Sequence, residues 1–306
     1  MAATEGEIRQ QLGSPASPTR KTPVFFKSTS TQGDVSEVLD SKSPRLQEKL
    51  IRLLRCAGFG GRLEAETIFK ETPALLLMRG DLTDMPGKSY TDITAFEYVV
   101  RAKDVYFFRR VLNFLEPYEG KDKSKIIVDL LAQFNRSFSE DCLASISGFN
   151  EAYDFWCRRP RHERPEHFVQ DLGEAQVHLE AHILQAYCHP TTSFNYNPDF
   201  IKNDLPESFT FKDLHRSCLR SLLSTSPGCK GDFVLGRTYE AAAVGNPGED
   251  TCAVGQQIGM DCSRLANMDK ELTAELLILK ARLEDMAKNA LELDASTPDD
   301  STSPSP

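Results

Sequence analysis

The clearest hydrophobic pattern lies near the C-terminus, where apolar residues recur alternately three and four positions apart. These residues are Leu272, Leu276, Leu279, Leu283 and Met286. The heptad spacing places them on one face of a helix and predicts a coiled-coil-like helix over 264–293. Two interpretations of this face stay open. It packs against its own chain, or it is an interaction surface for a partner protein or a second copy.

Shorter amphipathic stretches fill 44–224 and predict a mainly α, irregular multi-helix core domain. Ser43 and Pro44 suit the N-cap and first position of a helix, and Gly58 is expected to end it. Further along, Gly80 is expected to end a short helix, and Pro86-Gly87 predicts a type II turn. The other predicted helices span 73–79, 123–134, 140–157, 165–188 and 212–223.

Residues 94–103 and 105–115 predict two short helices with a tight break between them. Apolar positions line one side of each stretch, and the pair has an ankyrin-like character. Ankyrin repeats recur every 33 residues or so, and no second copy stands at that spacing. A single ankyrin-like helix pair is therefore predicted, and not a repeat array.

The remaining segments lack a regular spacing of apolar residues. Residues 1–43 are rich in Ser and Thr and predict a disordered N-terminal arm, and 294–306 predict a disordered acidic tail. Such segments cannot bury enough apolar surface to offset the entropy of ordering them. Residues 225–263 form an irregular Gly-rich segment, with one short strand predicted at 232–235.

Composition and charge exclude several classes of protein. The 36 basic and 45 acidic residues give a formal net charge of −9, which disfavours the broad basic surface that nucleic acids require. No nucleic-acid partner is predicted. The chain begins without the apolar run of a signal peptide, and its longest apolar stretches are too short for a membrane helix.

Two weak constellations could carry chemistry near residue 180. His178 and His182 stand four positions apart and could bind zinc with a third ligand, although Glu180 between them does not complete the metalloprotease order. Cys188 could act as a thiol nucleophile with His182 as its base and Asp199 as the orienting group. The competing interpretation is that these side chains pack helices together, so no cofactor is predicted.

One basic cluster joins two predicted helices. It contains Arg158, Arg159, Arg161 and Arg164. These side chains could bind anionic phospholipid headgroups and make the protein a membrane-surface adaptor. A solvated linker explains the same residues without any ligand.

Two blocks of sequence carry a family resemblance. The first includes Thr72-Pro73-Ala74-Leu75-Leu76 and Ile93-Thr94-Ala95-Phe96-Glu97-Tyr98, and the second includes Tyr187-Cys188 and Pro198-Asp199-Phe200. In this order they resemble an uncharacterised family of Legionella and Coxiella proteins. Members of that family are known or candidate substrates of the Dot/Icm type IV secretion system. The resemblance implies a protein of the bacterial cytoplasm that is translocated into a host cell, and it implies no reaction.

The predicted function is therefore a non-enzymatic effector that binds a host or bacterial protein. A thiol- or metal-dependent enzyme centred on His182 and Cys188 is the first alternative. A membrane-surface adaptor that uses the arginine cluster is the second.

Overall fold

The computed structural model describes most of the chain between residues 43 and 296. The described residues are 43–160, 162–164, 171–172, 174–176, 178–187, 201, 205, 210–213, 218–221 and 251–296. All of the described residues lie in one compact unit. The predicted arm before Ser43, the predicted strand at 232–235 and the tail beyond Ser296 lie outside the described residues.

The described backbone is mainly helical, as the hydrophobic pattern predicts. Its helices are α1 (Pro44–Phe59), α2 (Arg62–Glu71), α3 (Ala95–Arg101), α4 (Val105–Leu115), α5 (Lys123–Ser137), α6 (Ala144–Arg158), the single turn α7 (Glu174–Gln176), α8 (Ala181–Tyr187) and α9 (Thr251–Ser296). A short 3-10 helix spans Pro73–Leu77. Two antiparallel hairpins complete the fold: β1 (Arg79–Thr83) with β2 (Ser89–Thr94), and β3 (Thr210–Asp213) with β4 (Cys218–Ser221). Among the described helices, none combines the length and apolarity that a membrane span needs.

Helix α1 begins at Pro44 as predicted but ends at Phe59, one residue beyond Gly58. Gly60 follows in the left-handed conformation with φ 74°, and its lack of a Cβ makes this the natural stop. Helix α2 was not predicted, because its weakly amphipathic sequence follows directly on two glycines.

The hairpin of β1 and β2 replaces the end of the helix predicted at 73–79. Gly80 lies in β1, where an added Cβ would stand 2.8 Å from Leu54 Cδ1, so glycine lets the strand pack closely on α1. At the turn, the Gly87 N–H donates to the Asp84 carbonyl at 3.0 Å, and Gly87 has φ 88°. The hydrogen-bonded turn therefore spans Asp84–Gly87, one position earlier than a turn centred on Pro86 and Gly87. Gly87 has the positive φ that the third position of the predicted type II turn requires.

The predicted pair of short helices is confirmed as α3 and α4. A capping box begins α3, because the Glu97 N–H donates to Thr94 Oγ1 and the Thr94 N–H donates to Glu97 Oε2. The side chain of Asp104 caps α4 by accepting the Phe107 N–H at 3.0 Å. Lys103, with φ 55°, makes the sharp break between the helices.

The final helix α9 begins at Thr251, inside the segment predicted to be irregular. It packs against α4, α5 and α6. The predicted heptad face points into this contact. Leu272, Leu276 and Leu283 are fully buried, Leu279 is 4% exposed, and Met286 packs partly buried against the same core. This burial supports the first of the two interpretations, in which the heptad face packs against its own chain.

Two predicted helices are absent from the described backbone. In place of one helix over 165–188, α7 and α8 are separated by a turn in which His178 and Leu179 donate to carbonyls three residues back. In place of a helix at 212–223, β3 and β4 pair with each other. In both regions the local helical pattern is overridden by backbone hydrogen bonds that the pattern does not encode.

Candidate binding cleft

A surface cleft opens where three segments meet. The segments are the turn of the β1–β2 hairpin, the first two turns of α6, and the α7–α8 connection. The cavity measures about 530 Å³. Its lining combines small residues with ionisable ones: Asp84, Pro86, Gly87, Lys88, Tyr90, Ala144, Ser145, Gly148, Ala175, His178 and Glu180.

Asp84 is the carboxyl group that the hairpin contributes. Its Oδ1 accepts the backbone N–H of Lys88 at 2.8 Å, and its Oδ2 lies 3.4 Å from the hydroxyl of Tyr98. Burial raises the pKa of Asp84, while these donors oppose the rise. The turn therefore holds a buried carboxylate in a fixed position at the edge of the cleft.

Glu180 is the carboxyl group that the α7–α8 connection contributes. Its Oε2 accepts a hydrogen bond from Ser145 Oγ in the first turn of α6. Burial raises the pKa of Glu180 to about 7, and the negative charge of Asp84 acts in the same direction. A carboxyl group with this pKa exchanges its proton near neutral pH, which is uncommon outside functional sites.

The remaining polar groups of the cleft come mostly from the hairpin. The Lys88 ammonium lies 5.2 Å from the centre of the Tyr90 ring. Burial and the nearby Asp84 raise the pKa of the Tyr90 hydroxyl, so it stays protonated at neutral pH. His178 lines the opposite side and is exposed.

Small residues form the α6 side of the cleft. Gly148 lies inside α6, where glycine is less favourable than alanine by about 0.5–1 kcal/mol. A Cβ added at Gly148 would meet no atom within 4 Å in the part of the chain that the structure describes. Steric contacts with the described residues therefore do not require glycine at position 148. Without a side chain, Gly148 leaves this wall of the cleft open.

The two histidines predicted as a metal pair lie in different environments. His178 is exposed at the cleft, whereas His182 is 2% exposed in the protein interior. Across the described residues, no group of three His, Cys, Asp or Glu side chains is arranged to hold a metal ion. The structure does not bring His178 and His182 together on one accessible surface.

His182 lies beside a buried polar cluster that joins α2, α4 and α8. Arg62 donates to Gln185 Oε1 at 2.8 Å and lies 3.9 Å from Asp104 Oδ2. Burial lowers the pKa of His182 to about 4, so its imidazole is neutral at neutral pH. Its Nε2 has no hydrogen-bond partner among the described residues. This placement fits the packing interpretation of His182. Cys188 and Asp199, the other two candidate catalytic residues, lie outside the described residues.

The arginine cluster is partly used inside the protein. Arg159 forms a two-point ion pair with Asp171, and Arg164 donates to the carbonyls of Arg159 and Cys157. Arg158 is exposed, and Arg161 lies outside the described residues. Two of the four predicted headgroup-binding cations therefore already have protein partners.

Of the cleft residues, the sequence pattern singles out only His178, as a candidate metal ligand, and Pro86 and Gly87, as a turn. Asp84, Ser145 and Gly148 belong to no familiar motif, and they stand far apart along the chain. Glu180 stands between His178 and His182, where it does not complete a metalloprotease motif. One local signal was available: a glycine inside a predicted amphipathic helix is a position that helix propensity does not explain.

These observations define a mainly helical protein with a surface cleft lined by small and ionisable residues. Residues 144–291 match the family model described as the CBUA0006 C-terminal domain. The chain is 26% identical over 262 residues to an uncharacterized protein, CBUA0006, from Coxiella burnetii (strain RSA 493 / Nine Mile phase I). The alignment covers 77% of this chain and 75% of that relative. No solved structure matches the chain significantly.

Proposed function

We propose that this protein is a type IV secretion effector that binds a partner protein through the cleft. The similarity to a Coxiella protein supports delivery to a host cell, because the Legionella and Coxiella family that the sequence resembles is associated with Dot/Icm secretion. The cleft supports binding, and it is the observation that carries the proposal. Its volume of about 530 Å³ falls within the range of ligand sites, and its polar groups converge from three segments.

The competing enzyme hypothesis receives less support from the described residues. A general base must come within hydrogen-bond reach of its substrate. The imidazole of His182 is 2% exposed and lies among packed side chains. The membrane-adaptor hypothesis is also weakened, because Arg159 and Arg164 are engaged in contacts with their own chain.

Delivery is tested with a translocation reporter. The full chain is fused behind a calmodulin-dependent adenylate cyclase and expressed in Legionella with an intact or an inactivated Dot/Icm system. We expect host-cell cyclic AMP to rise only with the intact system, and a fusion that lacks 294–306 to be delivered poorly. An equal signal from both strains would refute type IV delivery.

Binding through the cleft is tested by filling it. Gly148→Trp places a large side chain in the open space, whereas Asp154→Trp adds the same bulk to an exposed position of α6 outside the cleft lining. We expect host proteins crosslinked to the wild type and to Asp154→Trp to be lost with Gly148→Trp. If all three proteins capture the same partners, the cleft is not the binding surface.

A further inference from the structure

We infer that the cleft takes a lysine or arginine side chain from a basic segment of the partner, with its cationic head at Glu180 and the buried charge of Asp84 nearby. This inference rests on the proposed function and adds the chemistry of the partner. It combines the shape of the cleft, the charge of its lining and the way its acids are held.

The apolar part of the lining suits a side chain with a long apolar stem. Ala144, Gly148 and Ala175 line the cleft, and a Cβ added at Gly148 would meet no described atom within 4 Å. Lysine and arginine carry three or four methylene groups below a charged head, and they bury this stem along apolar surface. A compact ion would leave the wall uncovered.

The charge of the lining favours a cation at the polar end. Asp84 and Glu180 are held by separate segments, so neither can move away from the other without disturbing the hairpin or the α6 contact. A carboxylate can accept about four hydrogen bonds. Glu180 uses its own backbone N–H and Ser145 as donors. An ammonium or guanidinium group would supply further donors and remove the repulsion between the two acids.

Lys88 is the positive charge already present at the cleft. Its ammonium lies over the ring of Tyr90, and its backbone N–H, not its side chain, makes the hydrogen bond to Asp84. Both oxygens of Asp84 already accept hydrogen bonds, from the Lys88 N–H and the Tyr98 hydroxyl, so Glu180 is the carboxylate with acceptor capacity for a ligand. The Lys88 ammonium weakens the attraction of the cleft for any cation. Replacing Lys88 with Gln is expected to tighten binding.

The test is calorimetric titration of the full chain with capped tetralysine at pH 8, with capped tetra-acetyl-lysine as the uncharged probe. We expect binding of tetralysine and none of the acetylated peptide. Glu180→Gln keeps an acceptor for Ser145 but removes the charge, and should weaken binding about tenfold or more. The matched control Glu151→Gln removes one exposed charge from α6 and should change binding less than about twofold.

The pH dependence gives a second readout. The charges of Asp84 from the hairpin and Asp269 from α9 act on Glu180, and Ser145 of α6 donates a hydrogen bond to it. The other ionisable groups that line the cleft are Lys88, Tyr90 and His178. A bound cation favours ionised Glu180, so binding should weaken below pH 7 by up to about tenfold per pH unit for one linked proton. The effect should persist in His178→Gln and disappear in Glu180→Gln.

Three results would overturn the inference: no binding of tetralysine, equal binding of the acetylated peptide, or equal losses from Glu180→Gln and Glu151→Gln. The proposed function has its own readout. If Gly148→Trp abolishes capture of the host partner while Glu180→Gln leaves capture unchanged, the cleft binds a partner, but not through a basic side chain.

Discussion

The buried ion pair between Lys103 and Asp269 is expected to fasten α9 to the rest of the protein. The Lys103 ammonium donates to Asp269 Oδ1 at 3.0 Å, to the Asp141 carbonyl at 2.8 Å and to Thr273 Oγ1 at 2.7 Å. Asp269 Oδ1 also accepts the backbone N–H of Leu143 at 3.2 Å. The side chains of Lys103 and Asp269 are only 2% and 6% exposed. Removing either partner therefore leaves a buried charge without its counter-charge.

The magnitude follows from that burial. Breaking a buried pair by removing one partner costs about 3–5 kcal/mol, because the remaining charge is desolvated and unbalanced. Asp269→Ala should therefore lower the free energy of unfolding by about that amount. Lys103→Met should do the same, and the double variant should lose less than the sum of the two single losses.

Urea denaturation followed by circular dichroism measures these losses. The control is Glu284→Ala, which breaks the more exposed pair with Lys280 on the same helix and should cost less than about 1 kcal/mol. A loss below about 1 kcal/mol in Asp269→Ala, or strictly additive single losses, would show that the ion pair does not fasten α9 to the rest of the protein.

Three further predictions concern single positions. Leu276→Ala should lower the free energy of unfolding by about 2–5 kcal/mol, because this side chain is fully buried. Ile278→Ala should shift the urea midpoint little, because this side chain is 63% exposed. Equal shifts would contradict the packing of α9. Burial lowers the pKa of His182 from 6.5 to about 4, so the unfolded chain binds a proton between these pH values that the folded protein does not. The free energy of unfolding should therefore fall by about 3 kcal/mol as pH falls from 6.5 to 4. His182→Gln should flatten this part of the stability–pH profile, and an unchanged profile would refute the assignment. Gly148→Ala should raise the free energy of unfolding by about 0.5–1 kcal/mol, and Tm with it, because the added methyl group meets open space. A lower Tm would show that this space is filled.

Local patterns determined the elements that are strongly amphipathic or strongly capped. Pro44 marked the beginning of α1, where the Ser43 side chain makes no capping hydrogen bond, and Thr94 with Glu97 formed the capping box of α3. The heptad spacing placed Leu272 and Leu276 on one helical face. These features depend on residues a few positions apart, so the chain carries them without reference to the rest of the fold.

The tertiary structure decided what those elements face and where the polar residues meet. The same heptad pattern suits a core helix and an intermolecular coiled coil, and only the packing of α4, α5 and α6 showed that it is core. Asp84 and Glu180 line one cleft although nearly one hundred positions separate them, and burial, which sequence spacing does not encode, raises the pKa of both. Periodicity fixes the direction of a side chain on its own helix, whereas solvent exposure depends on distant segments that pack against it.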